Sequence, residues 1–117
     1  MAVTVPILRQ GSVLIASIQE DLCDSDILNL QSRILEDVIK CRAKAVIIDV
    51  SAIGVLDSFG TKTLTEIAYS VKMRGAETVI VGIQPDVALS MVLLGLTLRD
   101  IPTALDLDHG LALIGGS

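Results

Sequence analysis

Apolar residues follow two rhythms along this chain. Ala45-Val46-Ile47-Ile48-Asp49-Val50 and Glu77-Thr78-Val79-Ile80-Val81-Gly82 are short, almost unbroken apolar runs. Runs of that length predict strands covered on both faces. Between and before them the apolar positions recur every three or four residues. Leu30, Ile34, Leu35, Val38, Ile39 and Cys41 form one stripe, with Asn29, Gln31, Ser32, Arg33, Glu36, Asp37 and Lys40 on the other side. That spacing predicts an amphipathic helix of about five turns starting near Ile27, capped by Asp24 or Ser25. Leu64, Ile67, Ala68 and Val71 predict a second helix that runs to about Arg74 and stops at Gly75.

The chain ends follow the same logic. Val3-Thr4-Val5-Pro6-Ile7-Leu8 and Ser12 to Ile18 predict an antiparallel hairpin around Arg9-Gln10-Gly11-Ser12. Pro6 removes a ladder donor and so marks the first strand as an edge. Pro85 suits the first position of a third helix, apolar on most sides, that Gly95 ends. Ile101 to Ala104 is a short edge-like strand, and Leu105 to Ile114 carries enough apolar residues for a last helix or turn. The order is β-β-α-β-α-β-α-β-α. It predicts an α/β domain whose sheet opens with an antiparallel hairpin and is otherwise largely parallel. No repeat or linker divides the chain, so one domain over 1–117 is expected.

Composition narrows the function. The 117 residues are 51% hydrophobic, with one Tyr, one Phe and no Trp, so the core is aliphatic. Such a chain offers no stacking platform for single-stranded nucleic acid, and a net charge of −5 repels phosphate backbones. Cys23 and Cys41 belong to no metal-ligand spacing and are expected as reduced packing residues. No apolar run approaches the ~18 residues of a membrane span, and the N-terminal residues carry no secretory pattern. A cytoplasmic domain with no membrane or nucleic-acid partner is expected.

Several motifs imitate enzymes. Gly54 and Gly60-Thr61-Lys62-Thr63 sit between a strand and a helix, like a phosphate-binding loop. The glycines are one residue too far apart, and Thr61 separates the second from Lys62, so lysine and amides fall out of register. Ser58 has Gly60 two residues after it but Leu56 two before, which is not a nucleophile elbow. The single histidine, His109, stands far along the chain beside Asp108 and is expected to be solvated. Glu20, Asp21, Asp24 and Asp26 lack the spacing of a calcium loop. They are expected to form a solvated loop with a capping aspartate, or a charged rim for a protein partner. No enzyme, cofactor or metal site is expected.

Val55-Leu56-Asp57-Ser58-Phe59-Gly60-Thr61-Lys62 stands where the buried strand ends and the second helix begins. A helix N-terminus gathers backbone N–H groups and favours negative charge. Asp57 or Ser58 is the expected cap. Phe59, the only Phe, is expected to be exposed beside the serine hydroxyl at a strand end, where α/β sheets present binding surfaces.

The stretch Ile48-Asp49-Val50-Ser51-Ala52-Ile53-Gly54-Val55-Leu56-Asp57-Ser58-Phe59-Gly60, between strand and helix, resembles the STAS domain of anti-sigma-factor antagonists. The likeness covers essentially the whole chain, including the opening hairpin and the apolar third helix. It implies the STAS fold, with about five strands and four helices, and phosphorylation of Ser58 by a cognate serine kinase. Within the family the resemblance is greatest to stand-alone scaffolds of stressosomes, since no sensory domain precedes the unit and Phe59 and Lys62 follow the serine. It implies partner binding through Asp57, Ser58, Phe59, Gly60 and Lys62. The implied partners are a switch serine kinase released on phosphorylation, paralogous STAS co-scaffolds, and a phosphatase that resets Ser58. The alternative within the family is a direct anti-sigma-factor antagonist that works by partner switching. Thr61 and Thr63 stand on the first helical turns as candidate second modification sites or as solvent-facing residues.

Overall fold

The computed structural model describes residues 4–98 and 100–115. Val3, expected in the first strand, lies outside them. The two apolar runs form β3 (Ala45–Asp49) and β4 (Glu77–Val81), neighbours in one sheet. Ala45, Val46, Ile47 and Ile48 are all without exposure, as expected of a strand covered on both faces.

β1 (Ile7–Gln10) and β2 (Val13–Ser17) make the antiparallel hairpin, with Ile7 opposite Ala16 and Gln10 opposite Val13. The hairpin sits further along the chain than the hydrophobic pattern suggests. Arg9 and Gln10 belong to the strand, and only Gly11-Ser12 turns. Thr4–Pro6 runs ahead of β1 and is tied down separately. Val5 is buried, and its carbonyl accepts from Arg33 Nη1 at 2.6 Å.

β5 (Thr103–Ala104) completes a five-stranded sheet in the order β1-β2-β3-β4-β5, parallel except for the hairpin. It is shorter than the expected Ile101–Ala104. Ile101 leaves the strand and is buried in the core instead.

Three helices connect the parallel strands: α1 (Asp24–Cys41), α2 (Ser58–Met73) and α3 (Pro85–Leu94). The cap of α1 lies one residue before Asp24 and two before Ser25, the expected caps. Cys23 is the N-cap, and its N–H donates to Asp26 Oδ2 at 3.2 Å, so the carboxylate at the third helical position fixes the start. α2 stops at Met73, ahead of Gly75 with its φ of +84°.

The sheet separates two apolar layers. Leu30, Ile34, Ile67, Val71, Val87 and Met91 from these helices pack with Val46 and Ile48 on one face. α4 (Leu107–Gly115) closes the other, with Leu107, Leu111 and Ile114 against Ile15, Ile47, Val79 and Val81. It begins two residues later than expected, after Asp106.

Gly110 lets α4 approach this closely. A methyl group there would lie 2.6 Å from Val81 Cγ1 and 3.6 Å from Ile47 Cδ1. Gly110→Ala is therefore expected to lower stability by about 1–3 kcal/mol, as overpacking of a tight contact does. Urea unfolding followed by circular dichroism measures this, and an unchanged midpoint would mean that α4 does not dock on β4 as described.

Candidate functional site

β3 delivers the chain to one pole of the molecule, and the eight residues that follow are pinned before α2 begins. Ser51 N–H donates to Asp49 Oδ1 at 2.9 Å, Ile53 N–H to the Val50 carbonyl at 3.0 Å, and Gly54 N–H to Asp21 Oδ1 at 3.0 Å. Gln84 Nε2 donates to the Ser51 carbonyl at 2.7 Å. Ile53 and Leu56 turn into the core, while Val55 between them stands 69% exposed.

Asp57 caps α2. Its Oδ1 accepts from Gly60 N–H at 2.8 Å, and its carbonyl accepts from Thr61 N–H at 2.9 Å. Ser58 thereby occupies the first helical position rather than the cap, and it is exposed. Gly60 is buried under Leu56, whose Cδ1 would be 3.0 Å from any added Cβ. Lys62 is exposed one turn on. Phe59 is half-buried rather than fully exposed.

The threonines do not face solvent. Thr61 and Thr63 are 4% and 1% exposed. Their hydroxyls donate to the carbonyls of Asp57 and Phe59, each at 2.9 Å, and half-buried Thr65 does the same to Thr61. A hydroxyl that bonds back to the preceding turn is satisfied in place. Ser58 is therefore the exposed hydroxyl at the start of α2.

Beside the cap lies a cleft of about 120 Å³ between the N-terminal ends of α1 and α2. Ile18, Leu30 and Leu64 are among its apolar walls, and Asp21, Asp24 and Asp57 line it with carboxylates. The acidic residues of the sequence thus have separate duties. Asp21 holds Gly54, and Asp26 is buried at the start of α1. Hydrophobic spacing gave no sign of this cleft, which arises from two helix starts meeting at one pole.

His109 lies on α4, on the other side of the sheet from α2. Its partner is Asp106 rather than Asp108, with Nδ1 2.6 Å from Oδ1. The side-chain hydrogen bond to Asp106, then its charge, raises the His109 pKa above its ordinary 6.5. Backbone and side-chain hydrogen bonds from His109 hold Asp106 below the usual 3.8. The histidine's contribution to stability is complete below pH 6.5 and is lost as pH rises through the raised folded value. That of Asp106 is present above pH 3.8 and is lost as pH falls through the lowered value. Both groups are solvent-exposed, so water screens the pair. It caps α4 and does not meet Ser58.

Among the described residues no helix is long and apolar enough to cross a membrane.

The chain belongs to the STAS-domain family, whose model matches residues 4–109. The chain is similar to Moorella thermoacetica RsbS, solved with a serine-to-glutamate substitution: TM-score 0.82 and 33% identity over 96% of this chain and 95% of that one. It is equally similar to a chain of the stressosome, described as a signal integration and transduction hub, with TM-score 0.80, 34% identity and coverage of 95% and 96%. In sequence it is 28% identical over 82 residues to the RsbT co-antagonist protein RsbRA of Bacillus subtilis, covering 70% of this chain. It spans only 30% of that relative's length.

Removing the Asp57 carboxylate strips the cap from α2. Asp57→Ala is expected to cost about 1 kcal/mol, within the range of about 0.5–2 for such caps. Chemical denaturation measures the loss; no change would mean that the Asp57–Gly60 bond does not hold the helix start.

Proposed function

We propose that this protein is a non-enzymatic stress-signalling scaffold whose binding state is set by phosphate on Ser58. In this reading it assembles in the cytoplasm with paralogous, RsbR-like STAS co-scaffolds. It holds an RsbT-like switch serine kinase and releases that kinase when Ser58 is phosphorylated. A phosphatase resets the serine.

One observation carries the reading. Ser58 is exposed at the helix start, while Thr61 and Thr63 are buried and bonded to the preceding turn. A kinase that approaches the first two turns of α2 meets Ser58 as their exposed hydroxyl. The relatives support the assignment. One is a chain of a stressosome, and another is named for antagonism of RsbT. The Moorella RsbS form carries glutamate in place of a serine, the usual charge stand-in for a phosphate.

The energetics fit a surface switch. A phosphoserine carries about −1.5 to −2 charges. At the first turn of α2 the helix dipole offsets part of that charge, by roughly 0.3–1 kcal/mol, so the scaffold keeps its fold. A partner packed over Ser58 and half-buried Phe59 faces a dianion stripped of water. A penalty of ~2–3 kcal/mol there weakens binding roughly 30- to 150-fold. Exposed Asp57 and Lys62 flank the serine and supply recognition, while buried Gly60 sets the backbone that presents them.

Calorimetry with the switch kinase tests this directly. Wild type and Ser58→Ala should bind with equal affinity, and Ser58→Asp roughly 30- to 150-fold more weakly. Peptide mapping after incubation with kinase and ATP should place the phosphate on Ser58. Equal affinities for all three proteins, or phosphate on another residue, would overturn the proposal.

A further inference from the structure

At the pole opposite Ser58 the chain carries the opposite charge. Lys44 precedes the end where β3 enters the sheet, and Ser58 follows the end where it leaves. Lys40, Arg42, Lys44, Lys72 and Arg74 belong to the last turns of α1 and α2 or to the residues just beyond them. No acidic residue lies at 38–48 or at 67–76 to offset them. Arg42, Lys44 and Arg74 line one cleft of about 250 Å³, with Val38, Ile39 and Ala43 as its apolar part.

The ordinary duty of such cations is to meet the carbonyls that end a helix. Here backbone N–H groups take that duty. The Val38 carbonyl accepts from Ala43 at 3.2 Å, the Val71 carbonyl from Arg74 and Ala76 at 3.0 and 3.1 Å, and the Lys72 carbonyl from Gly75 at 2.9 Å. Arg9 and Arg33 each donate to a carbonyl. Among the described residues Arg42, Lys44 and Arg74 make no side-chain hydrogen bond and no ion pair. Glu77 meets Lys44 only through its N–H, which donates to the Lys44 carbonyl at 3.0 Å. Arg42 also holds a left-handed conformation, φ +51°, in the position that Gly95 fills at the end of α3. A side chain there strains the backbone as glycine would not. The guanidinium gives α1 no hydrogen bond in return.

We infer that this basic cleft is a docking site for an acidic segment of a partner protein. The segment's carboxylates pair with Arg42, Lys44 and Arg74, and the two guanidinium groups offer planar forks for bidentate contact. An apolar side chain between those carboxylates lies on exposed Ile39. The three cations are exposed too, so the site is an open surface rather than the enclosed cavity that a small ligand requires. A nucleic acid would bring its phosphates against a chain of net charge −5, whereas a short acidic segment needs only this patch. The site stands apart from the Ser58 reading, and the kinase experiment does not bear on it.

The test is an amide NMR titration of the full chain with a blocked peptide of alternating glutamate and leucine, at about 50 mM and about 300 mM salt. Shift changes are expected at residues 38–44 and 72–77. The dissociation constant should fall between about 10 μM and about 1 mM at the lower salt and rise at the higher. Arg42→Gly should weaken binding roughly threefold to fivefold, as loss of an exposed ion pair does, and Arg42→Gly with Arg74→Ala roughly tenfold or more. Because glycine suits the left-handed position, the unfolding midpoint of Arg42→Gly should match or exceed that of wild type, which separates lost binding from lost fold. Inorganic pyrophosphate and a short single-stranded RNA should leave these resonances in place. A peptide that does not bind, shifts that map to the Ser58 pole, or variants that bind like wild type would overturn the inference. So would pyrophosphate or RNA that binds the cleft as tightly as the peptide, which would assign it to phosphate instead.

Discussion

The burial of β3 on both faces is the constraint from which the rest of the structure follows. Val46 and Ile48 pack against α1 and α2, and Ile47 packs against α4, all three fully buried. Neither layer of helices has a core without this strand. Its direction is therefore fixed by contacts on both sides, and so is the point where it emerges. The loop after it is drawn tight by Ile53 and Leu56 and by the bond from Gly54 to Asp21. Ser58 is presented from a rigid framework rather than from a mobile loop. In the proposed switch, one modified side chain changes what the pole binds while the fold stays as it is.

The helix start that follows shows how function and stability are kept apart. Asp57 holds the first turn by bonding Gly60, and the threonine hydroxyls bond back to the backbone. None of these contacts requires Ser58, so adding a dianion to Ser58 breaks no bond that the helix depends on. The Ser58 pole and α3 also carry different chemistry. The pole is rimmed by carboxylates, whereas α3 carries no charge after Asp86.

Much of this was legible in the sequence where a single physical effect dominates. The β3 run could be nothing but a buried strand, the α1 stripe marked the helix and, through Leu30, Ile34 and Val38, its inner face, although Ile39 of that stripe stands 52% exposed, and the junction at Ser58 followed from the two. Legibility failed where a local choice was settled by tertiary contacts. Arg9 and Gln10 are polar and were expected in a turn, yet the two-residue Gly11-Ser12 loop pairs them with Leu14 and Val13. Cys23 is a poor cap by propensity, but Asp26 three residues on accepts its N–H and sets the boundary. Thr61 and Thr63 carry polar hydroxyls and were compatible with solvent. Back-bonding hides those hydroxyls within the helix, so their methyl groups can join a buried face. Phe59 was expected to be free, and the packing of the first turn half-covers it.

The account rests on phosphate at Ser58 acting as a local charge on an unchanged scaffold. Amide NMR spectra of the chain before and after stoichiometric phosphorylation test this most directly. The account predicts shift changes confined to the loop after β3, the first turn of α2 and the neighbouring start of α1, with β3, β4 and α4 unmoved. Changes spread through the sheet and α4 would contradict it, because the phosphate would then act by remodelling the fold rather than by recharging one pole.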